Sequence, residues 1–145
     1  MRSTYVALAR LVALGVVLQA AFIAFGTFDV INVVEDGEVY DGDYNSGQVL
    51  HSLGAMAISV VGLALLIVSF FAKLPGGVKW AAIVFGLIAL QWVLAIAAFE
   101  VGAVIGLLHG INAVALAVVA ERAGARVAKL EPAAGPERPR TTTPA

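Results

Sequence analysis

Two histidines, His51 and His109, are the only imidazoles in the chain, and both sit inside long apolar runs. The four apolar runs 11–28, 49–72, 80–99 and 101–120 also hold three amide side chains, Gln19, Gln91 and Asn112, with Ser52, Ser59 and Ser69, and no Asp, Glu, Lys or Arg. An imidazole in apolar surroundings can ligate a metal or relay a proton, or it can simply bond a neighbouring helix. Haem iron in particular accepts imidazole as an axial ligand. The chain has no cysteine, which excludes disulfides, thiolate metal sites and thiol nucleophiles. No phosphate-cradling glycine loop, zinc constellation or serine nucleophile arrangement is present either. Ordinary hydrolase, kinase or dehydrogenase chemistry has no residues here, and no catalytic residue is assigned.

The elements that must position these side chains follow from composition. Of 145 residues, 61% are hydrophobic and 13% charged, against about 45–50% and about 25% in soluble domains. Mean hydropathy is +0.94. Both an ordinary soluble domain and a disordered chain are excluded. A bilayer core about 30 Å thick needs about 20 apolar helical residues, and four stretches qualify: 5–28, 49–72, 79–99 and 101–121. A single helix from Lys79 to Glu121 would be about 60 Å long, twice the core, so the chain must turn near Glu100, eased by Gly102. The expected fold is all-α, an up-and-down bundle of four membrane spans over residues 1–131, with a disordered tail over 132–145. The first apolar run is longer than a signal-peptide core, so it is expected to stay as a span.

Charge gives direction. All nine basic residues flank one side: Arg2 and Arg10 at the first span, Lys73 and Lys79 between the second and third, and the rest after the fourth. The opposite side carries Asp29, Glu35, Asp36, Glu38, Asp41, Asp43 and Glu100, with no Lys or Arg. The positive-inside rule puts both termini in the cytoplasm of a multi-pass plasma-membrane protein. The basic residues after span four are expected to anchor it to anionic lipid and are too few for nucleic-acid binding. In the outer loop, 29–47, the apolar segments around Asp36-Gly37 suggest a small β-hairpin or extended flap. Asp41, Asp43 and Asn45 alternate like the opening of a calcium loop, but the twelfth position is Ser52 instead of a bidentate Glu. A solvated acidic turn is the plainer reading.

Counted from the span ends, His109 and Gln91 lie about 12 Å deep, Gln19 about 14 Å and His51 about 5 Å. Every span thus brings a polar group to the acidic half. His109 and Asn112 share a helix face, beside a stripe of Gly102, Gly106 and Gly110 that would let a helix or flat cofactor approach closely. One site built from Gln19, His51, Gln91, His109 and Asn112 is expected. His51 and His109 would be the iron ligands of a single haem b used for electron transfer or redox sensing, with the amides orienting the imidazoles or meeting the propionates. The mismatch of about 7 Å in depth would require helix tilt or a tilted ring, and no Arg or Lys awaits propionates on the acidic side. Two other classes compete: a cofactor-free accessory or scaffold protein with interhelical polar glue, and a small channel or carrier component. Transmembrane electron transfer would require a homo-oligomer or a membrane redox partner, because one haem cannot carry electrons across the bilayer alone.

The segments Gln48-Val49-Leu50-His51-Ser52-Leu53-Gly54, Leu90-Gln91 and Leu107-Leu108-His109-Gly110-Ile111-Asn112-Ala113 resemble a family of small four-span bacterial membrane proteins of unknown function. Those have a His opening the second span and Leu-His-x-x-Asn in the fourth. More distantly, the layout is similar to the haem-bearing four-helix bundles of haem A synthase and transmembrane b-type cytochromes. That second resemblance implies His51 and His109 as axial ligands and is one of fold.

Overall fold

The computed structural model describes residues 1–130, and the expected tail over 132–145 lies outside them. Four helices make up the structure: α1 (Arg2–Glu35), α2 (Ser46–Ala72), α3 (Gly77–Val101) and α4 (Ala103–Ala128). All four are long and apolar enough to cross a membrane. Each packs on the next, and α4 closes against α1. The protein is an all-α, four-helix, multi-pass membrane protein in which α2 and α4 face each other across the bundle diagonal.

The three connections are short or tightly held, each for a local reason. At the acidic end α1 outruns its apolar stretch and stops at Gly37, whose φ is +80°. There Gly37 N–H donates to the Val34 carbonyl and Glu38 N–H to the Val33 carbonyl, a Schellman termination. The Asp36-Gly37 pair, expected to turn a hairpin, therefore ends a helix; Val30 to Glu35 are helical, and residues 38–45 form no strand. Asn45 then starts α2 with a capping box: its side chain accepts from Gln48 N–H (3.1 Å), and the Gln48 side chain accepts from Asn45 N–H (3.0 Å). This commits the Asn45 oxygen to the helix and takes it out of any calcium loop. At the other acidic-end connection, Gly102 alone separates α3 from α4, with φ +110°. A residue with a β-carbon would be strained there.

Packing is tightest between the bundle middle and the basic end. Tyr5, Ala9 and Val12 of α1, Leu65 of α2, Ala81 and Val84 of α3, and Ala120 and Ala123 of α4 are fully buried. The Tyr5 hydroxyl donates to the Gly77 carbonyl (2.9 Å), and Arg2 donates to the Val127 and Ala128 carbonyls at the end of α4. The first span thus supplies a full share of the core. Toward the acidic end the character changes: no residue of α3 beyond Ile88, and none of α4 before Asn112, is buried. There α1 and α2 are joined glycine to glycine. A β-carbon on Gly47 would overlap the Gly26 backbone, and the Asn45 amide donates to the Gly26 carbonyl (2.7 Å).

Candidate functional site: a facing pair of imidazoles

His51 projects from α2 and His109 from α4, and their rings meet across the diagonal with centroids 6.4 Å apart and planes inclined by 55°. The depth mismatch expected from the sequence is absent. The apolar runs begin at Val49 and Val101, but the helices begin at Ser46 and Ala103. Counted from the helix starts, the two histidines lie within one residue of the same level, a difference of about 1.5 Å.

Each ring is held by its helical neighbour in the same way. His109 Nδ1 lies 3.1 Å from the Gln91 backbone carbonyl on α3, and His51 Nδ1 lies 3.1 Å from the Gln19 backbone carbonyl on α1. A carbonyl only accepts, so a proton on Nδ1 makes both bonds and leaves Nε2 with a free lone pair on each ring. The Gln19 amide adds a second contact on His51. Turned with its nitrogen toward His51, the amide donates to the His51 carbonyl (2.6 Å) and comes within 2.9 Å of Nδ1, while its oxygen accepts from Ala55 N–H (3.2 Å). His51 therefore has a partner for either tautomer. The amide fits because residue 54 is glycine: a β-carbon there would overlap the tip of the Gln19 side chain.

On the other side Gln91 and Asn112 clamp α3 to α4. Gln91 Nε2 donates to the His109 carbonyl (3.0 Å), and Asn112 Nδ2 donates to the Leu87 carbonyl (3.0 Å) and to Gln91 Oε1. No buried side-chain polar atom among the described residues lacks a partner. All five expected residues converge, but the roles divide differently from the expectation: the imidazoles are oriented by glutamine backbone carbonyls, while the amides bind helix to helix. Asn112→Leu should lower stability by about 1–3 kcal/mol, since it leaves Gln91 Oε1 unpaired in an apolar site. The midpoint of unfolding in mixed detergent micelles measures this.

Sequence reasoning missed several contributors. Gly54 itself is legible in the sequence as a small residue one turn beyond His51, but the Gln19 amide it admits is not. Trp92 donates its indole N–H to Ser59 (2.9 Å), tying α3 to α2 below the ring pair. The expected glycine stripe also has a different use. Gly102 makes the turn, and a β-carbon on Gly106 or Gly110 would meet nothing within 4 Å, so none of the described helices packs closely there.

The donor set limits what the pair could ligate. Among the described residues no group of three or more His, Asp or Glu side chains could hold a metal ion. A closed structural zinc site takes four protein ligands and a catalytic one three. Haem supplies four equatorial nitrogens itself and asks the protein only for axial ligands. A metal–imidazole bond of about 2.0–2.1 Å places the metal about 3.2 Å from a ring centroid, so two imidazoles sharing one metal stand at most about 6.4 Å apart. The 6.4 Å between these rings fits that arrangement.

No family model matches the chain, and comparison with curated proteins and with solved structures gives no match.

Proposed function

We propose that this small integral membrane protein binds one haem b between His51 and His109, in the half of the bundle nearer the acidic face, and serves in electron transfer or redox sensing. The observation that carries the reading is the ring pair: two imidazoles from diagonal helices, at one level, with centroids no farther apart than a shared metal allows. The Gln19 and Gln91 carbonyls accept from Nδ1 and so leave both Nε2 atoms free for a ligand, the support a ligating histidine usually has. Ligation selects the Nδ1–H tautomer of His51, for which the Gln19 carbonyl is already placed. When bound, the haem supplies a one-electron couple. The chain's part is to fix the two ligands, exclude water with its apolar helices, and set the potential through its surroundings.

The deciding experiment is the visible spectrum of protein purified in mild detergent after expression with haem supply, first oxidised and then reduced. A sharp Soret band that shifts on reduction, with resolved α and β bands, is expected. A colourless folded preparation overturns the proposal. Loss of stability in histidine variants without any colour would then favour the cofactor-free scaffold, and flux in vesicles the channel or carrier.

The proposed orientation puts both termini in the cytoplasm and the acidic connection outside the plasma membrane, following the one-sided distribution of Lys and Arg. Val39 is 91% exposed in that connection, and the native chain has no thiol. A Val39→Cys variant should react with an impermeant maleimide on intact cells. Reaction only after permeabilisation reverses the orientation.

A further inference from the structure

The seam between α1 and α4 carries a second feature, at the opposite end from the imidazoles. Small residues draw these helices together: a β-carbon on Gly124 would lie 3.4 Å from that of Ala9, and Ala120 and Ala123 are fully buried. The larger side chains stand back on either side, leaving a groove of about 880 Å³ that opens along its length to the surroundings. Leu11, Leu14 and Val17 of α1 face Ala117 and Val118 of α4 along it, and Arg10, Glu121 and Arg122 close its basic end.

Two other arginines on the basic side are engaged elsewhere. Arg2 is spent on the α4 terminal carbonyls, and Arg126 stacks over Trp80 at 5.3 Å. Arg10 comes only within 3.9 Å of Glu121, with both side chains more than half exposed. Arg122 makes no hydrogen bond or ion pair among the described residues. Two guanidiniums against one carboxylate leave a net positive charge at the mouth of an apolar furrow that runs about 10 Å from Arg10 to Val17. Guanidinium matches phosphate through paired N–H donors, and the furrow matches an alkyl chain.

We propose that this groove binds an anionic phospholipid, with one acyl chain along Leu14, Val17 and Val118 and the phosphate on Arg10 and Arg122. A headgroup without an amine leaves the positive charge unopposed, whereas an ethanolamine ammonium would face both arginines. This reading is independent of the haem.

Native mass spectrometry of the full chain, after exchange into equimolar phosphatidylglycerol and phosphatidylethanolamine, tests it. The wild type should retain phosphatidylglycerol in preference by on the order of tenfold. The Arg10→Gln/Arg122→Gln double variant should bring the ratio near parity. Arg122→Gln alone, at an exposed position without partners, should lower it partway, which keeps the test informative if the double variant fails to fold. Ala117→Phe should reduce total retained lipid by filling the groove while leaving the charges in place. Equal retention by the wild type, a preference that survives both arginine variants, or a lipid-free dimer sealed along this seam would each overturn the proposal.

Discussion

His51→Ala and His109→Ala should each abolish the six-coordinate low-spin haem spectrum. Both substitutions remove an axial nitrogen, and no third imidazole exists in the chain to replace it. Second-shell partners of metal ligands are worth about 10–100-fold in affinity, so loss of a ligand itself should cost more. Any haem retained should be high-spin, and added imidazole should restore the low-spin bands by occupying the gap left by the side chain. The two variants should behave alike, because the rings play equivalent parts: each is oriented by a glutamine carbonyl on the adjacent helix. If the imidazoles served only to join helices, each substitution would cost about 0.6–2 kcal/mol of stability and leave the spectrum untouched. Ser59→Ala is the matched control, since it breaks the bond from Trp92 without reaching either ring. A wild-type spectrum in both histidine variants would remove the ligand assignment outright.

The acidic surroundings bear on the proposed haem. With Asp29, Glu35, Asp36, Glu38, Asp41, Asp43 and Glu100 on that side and no basic residue among them, the field favours the more positive ferric form. It gives the propionates no cationic partner. The expected direction is a low reduction potential, with charge and hydrogen bonding around the site as the levers.

The spans were readable because the bilayer imposes a length and an apolar composition that few other constraints can imitate. The five polar residues were equally readable, since each is an exception to that composition. Their mutual geometry was harder to read, for identifiable reasons. The depth of His51 was misjudged because α2 starts three residues before its apolar run. The capping box that starts it was visible as Asn45 followed three residues later by Gln48, and reading it would have halved the mismatch; the rest arises because α4 begins at Ala103, two residues into its apolar run. Asp36-Gly37 carries one local conformation that serves equally a hairpin turn and a helix stop, and only the surrounding chain decides between them. The orienting groups on the imidazoles are backbone carbonyls, which every residue has. No side-chain pattern could have marked Gln19 and Gln91 for that role, although their amides drew attention to the right positions.

Gly47 ties the acidic end of the fold to the site, and Gly47→Ala should be among the most damaging single-methyl changes in the protein. The added carbon would overlap the Gly26 backbone and lie 2.7 Å from the Phe22 carbonyl. These are main-chain atoms of α1 and cannot rotate aside, so the helices themselves must separate. Overpacking of this kind costs about 1–3 kcal/mol and sometimes more. The separation would also pull Asn45 from the Gly26 carbonyl. His51 lies four residues on, along the same face of α2 as Gly47, so the strain should reach the ring and its bond to the Gln19 carbonyl. The expected result is therefore double: a lower unfolding midpoint in mixed micelles and a broadened or partly high-spin haem spectrum. Gly110→Ala supplies the contrast. It adds the same methyl to a helix beside His109, where nothing lies within 4 Å. Its effect should be neutral, or stabilising by up to about 1 kcal/mol through helix propensity. Equal behaviour of the two variants would mean that α1 and α2 are not held glycine to glycine, and that the α1 carbonyl on His51 is not fixed by that contact.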